Sequence, residues 1–192
     1  MKVYDISQEV FSCRVYPGDA KPEKHTLRNM EQGDTYNLTA FTMYAHNGTH
    51  VDAPYHFFKD GITVDEMGLD TFVGECFVAR QEGNVTGEVA RNVLKKAEGA
   101  CRILLAGSCT VTEEAASVFA DSNIKLLGNE SQSVGPLEAP RKVHLILLGK
   151  GIALLEGIEL AEVPEGHYIL SAAPLNLGGA DGAPCRACLI SL

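Results

Sequence analysis

This sequence predicts an α/β fold with mixed sheets in more than one layer, on three observations. The middle of the chain alternates helix-patterned and strand-patterned segments. Both ends are rich in strand formers. The 192 residues, 45% hydrophobic and 21% charged, suffice for one compact domain, 1–192, with a sizeable core. No linker-like shift, internal repeat or low-complexity stretch divides the chain.

Taken in order, KVYDI (2–6) predicts a short strand. Tyr16-Pro17-Gly18-Asp19 is a turn, because Pro17 presets φ and Gly18 is free to take φ > 0. TAFTMYAH (39–46) and FVGECFVAR (72–80) are β-rich. Residues 86–98 predict a helix: Thr86 is an N-cap, Val89, Ala90, Val93, Leu94 and Ala97 recur at helical spacing, and Gly99 ends it. CRILLA (101–106) follows as a buried strand. Thr110-x-x-Glu113 resembles a capping box opening a second helix, with Ala115, Val118 and Phe119 facing inward. IKLLG (124–128) is the next strand, 141–148 a helix stopped at Gly149, and IALLE (152–156) another strand. HYILSAAPLNL and the C-terminal APCRACLISL are further strands.

Composition removes several classes of function. The net charge is −9, and no Lys/Arg cluster offers the basic face that phosphate binding needs; Lys95-Lys96 is a solvated helix face. No nucleic-acid partner is expected. No run of about 18 apolar residues predicts a membrane span, and MKVYDISQEVFS lacks the apolar region of a signal peptide, so a cytoplasmic location is expected. The six cysteines are then reduced thiols. Cys185-x-x-Cys188 has no second ligand pair to make a structural zinc site and reads as apolar packing.

One stretch asks for chemistry: HNGTHVDAPYHF, 46 to 57, with three of the six histidines and an aspartate. A helical metal motif is disfavoured by Gly48, the β-branched Thr49 and Val51, and Pro54. An extended chain instead puts His46, Gly48, His50 and Asp52 on one face, with space for an ion at Gly48. At roughly 3.3 Å per residue the Cα atoms of His46 and His50 would stand about 13 Å apart. That is near the limit for both rings to share an ion, and a bend or bulge at Gly48 would relieve it. His25 and His167 read as surface residues. His144, in the otherwise apolar run VHLILL, and Glu156, closing IALLE, are buried ionisable groups that need a partner. Taken alone, His144 is more often a satisfied core histidine than a ligand.

HNGTHVDAPYHF resembles the HxGTHxDxPxHF signature of the cyclase family that includes bacterial kynurenine formamidases (arylformamidases) and isatin hydrolases. YPGD, the block from His144 to Glu156 and VPEG, and DGAPCRACL resemble its other motifs, so the likeness runs through nearly the whole chain. It implies a swivelling β/β/α cyclase-like fold, with metal ligands at positions matching His46, His50, Asp52, His144 and Glu156. His56 matches the acid/base residue. The donor set is nitrogen and oxygen without thiolate, which suits one or two zinc or manganese ions. Departures fall in stretches expected to line the substrate site. Leu105-Ala106-Gly107-Ser108 lacks the family's arginine, the tryptophan-bearing insertion is absent, and GNESQSVGP (128–136) carries Glu130 and Gly135 at two aspartate positions.

The expected function is hydrolysis of a small amide, arylformamidase-like, in which a metal ion polarises the carbonyl and acidifies water, and His56 moves the proton. Tyr16, Phe57 and Phe58 are candidates for the substrate wall, with plain core packing the competing reading. A cyclic amide or imide hydrolase, a true cyclase or lyase, and a metal-binding module without turnover are the alternatives. The partners expected are a small-molecule substrate and further copies of the chain, in a dimer or tetramer.

Overall fold

The computed structural model describes residues 1–191; the end of the C-terminal strand run, Leu192, lies outside them. In chain order the strands are β1 (Lys2–Asp5), β2 (Glu23–Arg28), β3 (Leu38–Thr42), β4 (His50–Asp52), β5 (Val73–Arg80), β6 (Gly83–Val85), β7 (Arg102–Ala106), β8 (Cys109–Val111), β9 (Leu126–Asn129), β10 (Ala153–Glu156), β11 (Gly166–Ser171), β12 (Gly182–Pro184) and β13 (Cys188–Ser191). The helices are α1 (Gly87–Lys96), α2 (Glu113–Ala120) and α3 (Arg141–Leu148).

Nine strands make one mixed sheet in the order β1-β13-β11-β5-β7-β9-β10-β4-β12. Its centre, β5-β7-β9-β10, is parallel, and α1, α2 and α3 carry the chain between successive strands of that centre. Parallel strands buried on both faces read as continuous apolar runs, which is why Arg102-Ile103-Leu104-Leu105-Ala106 and Ala153-Leu154-Leu155 are recognisable. Leu105, Leu127 and Leu154 pack against Phe119, Val143 and Leu147 of the helices. The opposite face carries Leu104, Leu126 and Leu155. There Val51 and Ala183 from one end of the strand order meet Leu170 and Leu189 from the other, so the sheet curls around this second core.

α1 begins as expected, with the Thr86 hydroxyl accepting from Val89 N, and Lys95 and Lys96 close it at the negative end of its dipole. α2 departs from expectation. Its N-cap is Thr112, not Thr110, because β8 pairs in parallel with β6 and holds 109–111 extended. α3 spans the predicted 141–148. A hairpin, β2 with β3, pairs only with itself, and every β2 residue is exposed. The β-rich reading of 39–46 holds as far as Thr42; the chain then turns towards the histidine segment. Cys185 and Cys188 are half-buried free thiols; Cys185 packs on the second core, and burial pushes its thiol up to about 12.

Candidate metal centre

The sheet brings the histidine segment to Glu156. β4 and β10 are antiparallel, with His50 opposite Glu156 and Asp52 opposite Leu154. Side chains alternate, so His50, Asp52 and Glu156 share the face towards α3, while Val51 and Leu155 enter the core behind. α3 adds His144 from its buried face, beside Val143 and Leu147. All four polar side chains are at most 4% exposed.

The segment is not one straight strand from 46 to 52. β4 covers only His50–Asp52, and the chain bends at Gly48, where φ is +63°. The His46 and His50 rings consequently lie 5.1 Å apart. The space Gly48 leaves is not for an ion: a Cβ there would stand 2.9 Å from the Cys13 Cβ. Pro54 opens a 3-10 turn, Pro54–His56, which folds the His56 ring over His46 at 4.0 Å between centroids.

The polar contacts form one connected cluster. His50 Nδ1 donates to the Gly48 carbonyl at 2.9 Å, and His144 Nδ1 to the Pro140 carbonyl at 2.9 Å. Each ring therefore turns Nε2 to the carboxylates. His50 Nε2 is 3.4 Å from Asp52 and 3.6 Å from Glu156; His144 Nε2 is 3.3 Å from Glu156 and 3.6 Å from Asp52. Glu156 also accepts the Val134 N–H at 2.8 Å. His46 lies between two carboxylates, Asp52 on Nδ1 and Asp181 on Nε2, both at 2.8 Å. Burial alone would push His46 and His50 down. Asp181 and Asp52 outweigh it for His46, raising it to about 10, and Asp52 with Glu156 raise His50 to about 9. Burial would raise Asp52, but His46 and His50 hold it well below the usual carboxylate range. His56 is lowered, chiefly by burial.

These residues fit a divalent cation. Asp52 Oδ2 is buried without a hydrogen-bond partner among the described residues, a costly arrangement for a carboxylate oxygen unless a cation meets it. Backbone carbonyls fix the tautomer of His50 and His144 with Nε2 free, as second partners of metal-bound imidazoles do. Potential ligand atoms converge in two groups sharing Asp52: His50, Asp52 and Glu156, and His46, Asp52 and His56. Neither contains a thiolate.

A cavity of about 380 Å³ stands over the cluster, lined by His46, His50, His56, His144 and Glu156, with Tyr16, Tyr44 and Phe57 among its walls. Tyr16 is anchored by its hydroxyl, which donates to the Leu137 carbonyl at 2.6 Å. Phe58 is not where its assignment to the substrate wall put it. It packs against the helix-side core and Gly149. The stretch 105–108 is likewise absent from the cavity lining, and Glu130 serves the backbone, accepting from Gly107 N and Leu160 N. Asp181, Gln132 and Ser133 are the residues missed from sequence. Gln132 and Ser133 lie in the loop noted for its departures; Asp181 opens the DGAP stretch, but its place in the site comes from a contact distant in sequence.

Two kynurenine formamidases are similar along almost the entire chain. That of Erythrobacter litoralis is 33% identical, covering 100% of this chain and 94% of its own. That of Salinibacter ruber is 34% identical, covering 98% and 97%. A solved structure described as a predicted metal-dependent hydrolase from Bacillus stearothermophilus superposes with a TM-score of 0.81 at 27% identity, covering 98% of this chain and 97% of that one. The fold and the site define a metal-dependent hydrolase. Residues 4–136 match the family described as "Putative cyclase", and the chain belongs to it.

Proposed function

We propose that this hydrolase cleaves the C–N bond of a small, uncharged aryl formamide, releasing formate and the arylamine. The carrying observation is the composition of the cavity: a nitrogen- and carboxylate-lined floor beneath aromatic walls, with no Lys or Arg in the lining. A divalent ion bound there would supply Lewis-acid activation of a carbonyl and of water. The ligands proposed are His46, His50, Asp52, His144 and Glu156, and zinc or manganese suits their nitrogen and oxygen donors. Sharing of Asp52 between two groups allows one or two ions. Tyr16, Tyr44 and Phe57 hold the aryl ring and exclude water. His56 takes a proton from the attacking water and returns it to the leaving nitrogen; burial lowers it from the ordinary histidine value, which favours the neutral ring that accepts the first proton.

The experiment assays purified protein for bound metal and then for formanilide and N-formylkynurenine hydrolysis. Zinc or manganese and formanilide turnover are expected, with N-formylkynurenine the poorer substrate, because no cation lines the cavity to meet its carboxylate. Protein that binds no transition metal, or cleaves no formanilide, would sink the proposal. An efficiency on N-formylkynurenine of about 10⁴ M⁻¹s⁻¹ or more, within the usual enzyme range, and above that for formanilide, would overturn the choice of substrate.

We further read 1–192 as one catalytic domain, supported by the pairing of β1 with β13, and its working state as a homo-oligomer, dimer or tetramer. A two-stranded hairpin is marginal alone in water, yet β2 and β3 pair only with each other and expose Leu27, Leu38 and Phe41. Light scattering is expected to give a multiple of 20.6 kDa; a monomer at working concentration would reject this reading.

A further inference from the structure

One oxygen, Asp181 Oδ2, lies 2.8 Å from His46 Nε2 and 3.2 Å from His56 Nδ1. The two rings are close enough, 4.0 Å between centroids, for a single oxygen to reach both. The backbone here is fixed. The Asp181 carbonyl accepts the Ala53 N–H at 2.9 Å, and Gly182 pairs with Asp52 in the sheet. Gly182 must lack a side chain, because a Cβ there would stand 2.7 Å from His46 Cε1 and 2.5 Å from the Val51 carbonyl oxygen. The His46 ring thus lies against the backbone that presents the Asp181 carboxylate.

A histidine that moves protons works with one ring nitrogen, and the partner of the other nitrogen sets the tautomer. A carboxylate accepts, so Nδ1 of a neutral His56 carries the hydrogen and its Nε2 lone pair is left for the cavity that His56 lines. We propose that Asp181 is the positioning residue for His56, holding the ring in its Nδ1–H tautomer with Nε2 directed to the substrate. The inference rests on the proton-carrying role proposed above for His56. Nothing in the HNGTHVDAPYHF segment itself could supply this function. Asp52 Oδ1 is engaged with His46 and no hydrogen bond joins Asp52 to His56, whose Nδ1 meets Asp181 instead.

The test uses zinc-loaded protein labelled with ¹⁵N at histidine, in which long-range ¹H–¹⁵N spectra report each tautomer. Wild-type His56 should carry its hydrogen on Nδ1, and Asp181→Ala should lose that preference at saturating zinc, supplied in excess because Asp181 also meets His46. With formanilide, Asp181→Ala should lower kcat about 10- to 100-fold, the usual cost of removing a partner that orients a working histidine. KM should stay within about threefold, since Asp181 does not line the cavity and acts through His56. Asp181→Asn, which keeps an acceptor, should retain more activity than Asp181→Ala. In a His56→Ala background, Asp181→Ala should add no further loss. An Nε2–H tautomer in wild type, an Nδ1–H preference that survives in zinc-saturated Asp181→Ala, or losses that multiply in the double variant would each overturn the inference. Undiminished turnover in His56→Ala alone would instead remove the role on which it rests.

Discussion

His56→Ala protein is expected to keep its metal and lose roughly 10²–10⁴-fold in turnover, the range for removal of a general acid or base. The argument is one of position. His56 sits on a 3-10 turn beyond Pro54, and its side chain is 29% exposed, whereas those of His50 and His144 are at most 4% exposed. Its Nδ1 meets Asp181 at 3.2 Å, while the pair Asp52 and Glu156 is met by His50 and His144. The loss of a ligand should empty the site, and the loss of a proton carrier should leave it filled. One observation argues the other way: His56 lies within ligand distance of the group His46 and Asp52. Elemental analysis of the variant decides. Metal loss equal to that of His50→Ala would make His56 a ligand, and wild-type turnover would remove it from the chemistry.

The sequence made the site more legible than its surroundings, for physical reasons. A buried ionisable residue inside an apolar run is conspicuous, because the run has a period and the charge breaks it; His144 and Glu156 stood out in this way. The bend at Gly48, where φ is +63°, was suggested by distance, since two imidazoles on a straight strand stand near the limit for sharing an ion. In 140–156 the apolar runs left helix and strand ambiguous, and Gly149 was the mark that placed the end of α3. Other features depend on contacts distant in sequence. Whether Thr110 or Thr112 caps α2 is settled by the pairing of β8 with β6. Glu130 closes loops 23 and 30 residues away, so its local context looked like a substrate loop. Asp181 reaches His56 across 125 residues, and no local pattern marks such a partner. Phe57 and Phe58 are adjacent and chemically identical, so only the turn at Pro54 decides which of them faces the cavity.

The second large effect concerns the residues furthest from the signature. His144→Ala and Glu156→Gln are each expected to weaken metal binding by about 100-fold or more, as much as His50→Ala. Removal of an outer partner of a metal ligand already costs about 10- to 100-fold, and a direct ligand should cost no less. Glu156 faces both His50 and His144, and its Oε1 also accepts the Val134 N–H. Glutamine keeps an acceptor for Val134 and the side-chain volume but removes the charge, so the fold should survive while the cation loses its counter-charge. His144→Ala removes a nitrogen whose tautomer is fixed by the Pro140 carbonyl and leaves Asp52 and Glu156 buried with His50 as their remaining Nε2 partner. Metal titration monitored by calorimetry, with thermal melts to verify folding, separates the cases. A folded variant that binds metal with wild-type affinity takes that residue out of the ligand set. If both do so, the ion must sit with His46, Asp52 and His56 instead, on the more exposed side of the shared carboxylate.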